Sequence, residues 1–143
     1  MIRRCTHCGR HNRIPPPRLF DTGRCGACGQ SLGPVAEPLD LTAAEHDEIV
    51  GSARVPVLID FWAAWCGPCK SAAPEVARAA ASTSGRALVL KVDTEKEPEL
   101  AARYGVRNIP NFVLLKGGRV VGQHAGVVGH DRLEAWLAQA AEQ

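Results

Sequence analysis

Long apolar runs are missing from this chain. No stretch approaches the roughly 18 apolar residues that a membrane-crossing helix needs. The opening MIRRCTHCGR carries Cys and Arg where an export signal would place its apolar core. No membrane span is expected, and the location read from this is cytoplasmic. Lysine is absent from the first 33 residues and acids nearly so: six arginines face one acid, Asp21, for a formal +5, whereas the rest of the chain carries −3. The overall +2 is too small to argue for nucleic acid. Large apolar side chains are also scarce in that opening, chiefly Ile2, Ile14, Leu19, Phe20 and Leu32. So little apolar mass cannot close a core by burial alone. The whole chain is different, since 143 residues with 45% apolar and 22% charged are ordinary globular usage, enough for one domain and a small appendage.

What is present, and divides the chain, is cysteine. The six come as three C-x-x-C pairs: Cys5/Cys8 and Cys25/Cys28 in the basic opening, Cys66/Cys69 beyond it. In a reducing compartment such pairs favour metal binding or redox catalysis over structural bridging. The spacing Cys5-x2-Cys8-x16-Cys25-x2-Cys28 matches a structural zinc site, because four thiolates fill a tetrahedral shell and leave no open position. Gly9 and Gly29 follow the two knuckles and suit tight turns. Extra redox pairs, an iron–sulfur site, or His7 or His11 as a ligand are the alternatives. One Zn2+ would bring the segment's formal charge to about +3. Its arginines then read as a solvated face.

Residues 1–33 are therefore read as a metal-binding ribbon and 34–40 as a linker, with Pro38 suiting an edge strand at its end. The remainder, 41–143, alternates. Thr42 with Glu45 forms a capping-box pattern for a helix to about Ser52. Residues 55–63 are apolar enough for a strand buried on both faces. A helix should start at Gly67-Pro68, run to about Ser82 and kink at Pro74. Further expectations are a strand over 86–93, a helix over 98–104, a hairpin turning at Gly117-Gly118, and a closing helix over 131–141. That order implies a mixed sheet with helices on both faces. Phe61, Trp62, Phe112 and Trp136 read as core residues.

Trp65-Cys66-Gly67-Pro68-Cys69 falls where the buried strand gives way to a helix. Free N–H groups and the helix dipole stabilise a thiolate there, so Cys66 reads as the attacking thiol. Cys69, one turn on, can close a disulfide with it. The segment Phe61-Trp62-Ala63-Ala64-Trp65-Cys66-Gly67-Pro68-Cys69-Lys70 resembles the active-site segment of thioredoxin. The likeness extends over residues 40 to 143 through Asp60, Pro74, Lys91, residues 104–110, Gly117-Gly118 and Gly126. With the four-cysteine opening, the chain is similar to the bacterial thioredoxin 2 subfamily.

The resemblance implies a thioredoxin fold preceded by a small zinc ribbon. It implies a buried Asp60 near Cys69 that exchanges a proton with it, Lys91 close enough to tune that carboxyl, and a cis Ile109-Pro110 peptide facing the disulfide. Trp65, Ile109 and Gly126 would form the apolar surface that receives a substrate. The expected activity is protein-disulfide reduction by a monomer, with disulfide-bearing proteins as substrates and an NADPH-dependent thioredoxin reductase as electron donor. Asn111, where the family usually has Thr, and Ala64, where it often has a polar group, are departures. A binding module or chaperone that holds clients without turnover is the alternative function.

Overall fold

The structure, a computed structural model, describes residues 1–19 and 21–142; Phe20, counted above among the apolar side chains, lies outside them. The opening builds the same small unit twice. Strands β1 (Ile2–Arg4) and β2 (His11–Arg13) form one antiparallel pair, and β3 (Gly23–Arg24) and β4 (Ser31–Leu32) the other. Each pair closes around a C-x-x-C knuckle with the same two hydrogen bonds. The Cys5 N–H donates to the Arg10 carbonyl and the Gly9 N–H to the Cys5 carbonyl; Cys25 with Gln30 and Gly29 with Cys25 repeat the pattern. Gly9 and Gly29 have φ of +82° and +74°, a region that side-chain-bearing residues avoid.

The rest is a five-stranded mixed sheet in the order β5-β7-β6-β8-β9. Strands β5 (Leu39–Asp40), β7 (Leu88–Asp93) and β6 (Val57–Trp62) are parallel; β8 (Asn111–Lys116) and β9 (Arg119–Ala125) are antiparallel and joined by the Gly117-Gly118 turn. Helix α1 (Ala43–Ser52) begins with the capping box, Thr42 accepting from the Glu45 N–H and Glu45 from the Thr42 N–H. Helix α2 (Gly67–Ser82) crosses from β6 to β7 and contains Pro74 without ending there. Helices α3 (Pro98–Arg103) and α4 (His130–Ala141) complete the fold.

Alternation along the strands sends side chains to two cores. Ile59, Phe61, Leu90, Val92 and Val113 pack with Ile49 of α1 and Leu100 of α3. Leu58, Val89, Phe112 and Leu114 pack with Val76 of α2 and Leu133 and Leu137 of α4. Phe61 and Phe112 are fully buried, while Trp62 and Trp136 are half-buried.

The segment with too little apolar mass to fold by burial borrows from its neighbour. Leu19, after a short 3-10 turn over Pro16–Arg18, is completely buried in the α1/α3 core, and its carbonyl accepts from the Val35 N–H at 2.9 Å. Val35 is buried in the same core, and the Ser84 hydroxyl donates to the Pro34 carbonyl. Ile14 touches this core and also the small cluster of Cys5, Cys25 and Leu32. One side chain thus joins the cysteine centre to the sheet. Leu19→Ala is expected to cost the whole chain about 2–5 kcal/mol, measured by denaturant unfolding of the metal-loaded protein; a loss under about 1 kcal/mol would mean that the contact is not a packed one.

Candidate redox centre and metal centre

Five of the six residues of β6 are buried, and the strand ends at the mouth of α2. Cys66 is the N-cap of that helix: its Sγ accepts the Cys69 N–H at 3.1 Å, and Pro68 occupies the first turn, where no N–H is needed. The two cysteines are joined as a disulfide with Cα atoms 5.2 Å apart. Both are buried, Cys66 3% and Cys69 6% exposed, so exposure does not distinguish them. The cap does, because only Cys66 Sγ is aimed at a free helix N–H.

Around the pair, the Ile109-Pro110 peptide is cis, and the Ile109 carbonyl oxygen lies 3.8 Å from Cys66 Sγ. The Pro110 carbonyl accepts the Gly126 N–H at 2.8 Å, tying that loop to the end of β9. Gly126 has φ of +106°, which a side chain would strain. Trp65 is 69% exposed and Val127 also stands open, an apolar rim on an otherwise packed end of the sheet. The Trp65 indole N–H donates to Glu95 Oε1 at 2.7 Å. Glu95 sits in a turn anchored on β6, since the Thr94 N–H donates to the Trp62 carbonyl and Asp93 Oδ1 accepts the Glu95 N–H.

Asp60 and Lys91 are register partners on β6 and β7. Both follow the alternation of Leu58 and Val89, which packs toward α2. Asp60 is 2% exposed, and no protein group bonds its Oδ1. Burial pushes its carboxyl up to about 7, opposed by the Lys91 ammonium and reinforced by Asp40. The ammonium rests 4.8 Å from the centre of the Trp62 ring. Between Lys91 and the start of α2 lies a cleft of about 130 Å3, lined by Trp62, Ala64, Cys69 and Lys70 among others. It has room for water beside the second cysteine.

The departures fall on either side of this centre. Ala64 lines the cleft; Asn111 is buried, with its Oδ1 accepting from the Gln123 amide at 3.1 Å. Sequence reasoning missed Glu95, Asn111's partner and Asp40. None lies in a motif, and each matters only through a residue distant in the chain.

The four opening cysteines converge. Their sulfurs all lie within 4.8 Å of one another, with Cys8 to Cys25 at 3.5 Å and Cys5 to Cys28 at 3.7 Å. A tetrahedron of metal–sulfur bonds near 2.3 Å spaces its sulfurs about 3.8 Å apart, so the donor set fits zinc. Neither His7 nor His11 belongs to the cluster among the described residues. Cys25 is drawn down to about 6 by the backbone N–H groups of Cys28 and Ala27, whereas Cys28, despite the Gln30 N–H, is pushed up to about 12 by burial and the neighbouring sulfurs, so four thiolates together need a cation among them. Asn12, unnoticed in the sequence, links the halves: its Oδ1 accepts the Gly26 N–H at 2.9 Å and its amide points at Cys25 Sγ, 3.6 Å away.

The folded protein holds Asp60 protonated over a range in which the unfolded chain ionises it. The unfolded state then binds fewer protons, so stability should fall as pH rises from about 4 to about 7 and level off above. Asp60→Asn should remove this slope and raise stability above pH 7 by on the order of 4 kcal/mol. Denaturant midpoints across pH check this; parallel curves for the two proteins would contradict it.

The chain matches the family model described as Thioredoxin over residues 37–139 and that of the Thioredoxin 2 N-terminal zinc ribbon over residues 4–30. It is 38% identical to Thioredoxin C-3 of Corynebacterium nephridii across its full length and 97% of that protein. It is 47% identical to Thioredoxin 1 of a Nostoc species over 68% of this chain and 91% of the relative. A mutant thioredoxin from Halobacterium salinarum superposes with a TM-score of 0.69 at 35% identity, covering 76% of this chain and 94% of that one. Fold, redox disulfide and both family matches agree: the chain belongs to the thioredoxin family of protein-disulfide oxidoreductases, and it carries that family's N-terminal ribbon.

Proposed function

We propose that this protein reduces disulfides in other proteins, with Cys66 as the attacking thiol and Cys69 as the resolving one. The observation that carries the reading is the cap geometry, in which Cys66 Sγ accepts a helix N–H and is bonded to Cys69; Trp65, Ile109 and Gly126 would receive the substrate beside it. The Cys66 thiolate attacks one sulfur of a substrate disulfide and expels the other as a thiolate, giving a mixed disulfide. Cys69 loses its proton and attacks Cys66 Sγ. The Cys66–Cys69 disulfide forms, and the substrate leaves with both electrons as two thiols, one protonated by the proton Cys69 gave up, handed on by Asp60, and the other from solvent. Asp60 takes the Cys69 proton through water in the cleft that Cys69 and Lys91 line, and the Lys91 ammonium opposes the effect of burial on Asp60. An NADPH-dependent thioredoxin reductase returns the pair to dithiol. A monomer in a reducing cytoplasm belongs to the same reading; no helix among the described residues is long and apolar enough to cross a membrane.

Residues 1–33 serve as the metal-binding part and 41–143 as the catalytic part, joined by 34–40. Cys5, Cys8, Cys25 and Cys28 hold one Zn2+, which closes the ribbon with thiolate bonds where apolar burial is insufficient.

Cys66→Ser should abolish insulin-disulfide reduction, and Cys69→Ser should accumulate the mixed disulfide with substrate. A variant lacking both cysteines that still reduces insulin overturns the proposal; one that loses reduction yet still suppresses client aggregation reassigns the chain to a holding role. That double variant should also retain about one zinc per chain. Loss of zinc from it would merge two centres that the present reading keeps separate.

A further inference from the structure

Asp60 is not the only carboxylate beside Lys91. The sheet register sets Asp40 of β5, Lys91 of β7 and Asp60 of β6 side by side in one crosswise row, followed by Phe112 of β8 and His124 of β9. Register partners in adjacent strands point to the same face, here the face that carries α2. With strands about 4.8 Å apart, the two carboxylate-bearing residues flank the lysine at roughly 10 Å from one another. Their surroundings differ. Asp60 is buried at the centre of the sheet, Lys91 is half-buried, and Asp40 is exposed on the two-residue edge strand.

We propose that Asp40 is a positioning residue for proton transfer at the Cys66–Cys69 centre, competing from the open edge of the sheet for the Lys91 charge that otherwise favours ionised Asp60. This rests on the reading of Asp60 as the group that takes the Cys69 proton. An ammonium between two carboxylates is shared, so the outer one lessens what the inner one receives. Coulombic repulsion from Asp40 acts on Asp60 in the same direction as burial, against Lys91.

Other charged groups stand near the row, Lys70 at the cleft with Lys91, and Glu45, Asp93, Lys96 and Glu97 around Asp40, but the charges that act on Asp60 are Lys91 and Asp40. Phe112, Leu133 and Leu137, from β8 and α4, do not titrate. Helix α2 contributes Cys69 and Lys70 at the cleft, and β9 contributes His124 beyond Phe112. Asp93, two residues past Lys91 on the same face, has its Oδ1 engaged by the N–H groups of Glu95 and Lys96. Asp40 is thus the exposed member through which edge charge reaches a buried base.

Asp40→Asn tests this in the full-length, zinc-bound protein, with the Asp60 side-chain carboxyl followed by carbon-13 NMR in the disulfide form. Removing the edge charge should move the Asp60 titration to lower pH by a few tenths of a unit. Lys91→Met should move it upward, and Asp40→Glu should leave it in place. The Asp40→Asn difference should shrink at about 1 M salt, since an exposed charge is screened. The acid limb of the pH–rate profile for insulin reduction should follow the NMR shift. An Asp60 titration unmoved by Asp40→Asn, while Lys91→Met moves it, would overturn the role of Asp40. A pH–rate profile that Asp60→Asn leaves unchanged would instead overturn the proton-carrier reading of Asp60, and the NMR shift alone tells the two failures apart.

Discussion

Strand β6 sits in the middle of everything else. It has a hydrogen-bonded neighbour on each edge and a helical layer on each face, so its side chains have nowhere to meet water except at its C-terminal end. That confinement has two consequences for chemistry. A carboxyl placed within the strand, Asp60, is held in a dry environment that favours its neutral form. The residues just past the strand must turn at once into α2, which puts Cys66 at a helix cap. A base of raised pKa and a thiol near free N–H groups follow from one buried strand that ends abruptly.

The ribbon is organised by the opposite circumstance, a shortage of apolar mass. Among the described residues its own cluster holds Cys5, Cys25 and Leu32, with Ile14 against it. Four cysteines converge between the two hairpins, the Asn12 bridge links them, and Leu19 is given to the larger core. Ile14 touches both clusters, so the cysteine centre and the α1/α3 core share one packed side chain. The redox pair and cleft are instead at the end of the sheet that faces the start of α2. The cysteine cluster and the redox pair are separated by the body of the sheet and share no residue.

Features that depend on a few adjacent residues were legible in the sequence. The Thr42/Glu45 capping box, the strand through Asp60, the Gly67-Pro68 helix start and the Gly117-Gly118 turn each carry their own geometry. The cysteine spacing likewise pointed to the four-sulfur cluster without knowledge of the fold. Leu19 illustrates the opposite case. In the sequence it is one apolar residue after three prolines, and only the path of residues 14–35 across α1 makes it a core residue. Residues 34–40 read as a linker ending in an edge strand, and Leu39–Asp40 pairs with β7 at the sheet edge; the burial of Val35 in the α1/α3 core was not legible, because a lone valine between prolines leaves no periodic signal. The Glu95 bond to Trp65 spans 30 positions and was invisible for the same reason.

Two buried side-chain polar atoms lack a protein partner among the described residues, Asp60 Oδ1 and Trp62 Nε1. They lie two residues apart on the same face of β6, so a surplus acceptor and a surplus donor both border Lys91. Each unpaired buried group costs about 1–3 kcal/mol, and apolar residues would make a more stable sheet at both places. Elsewhere the same strand is fully apolar, and its backbone is paired on both sides. The sheet therefore concentrates its imperfect packing beside the disulfide, where a carboxyl without fixed partners can gain and lose a proton with little rearrangement. A fully satisfied network would lock that proton in place. At this end of the sheet, the stability lost to unpaired groups and the proton transfer proposed for Asp60 would have a single origin.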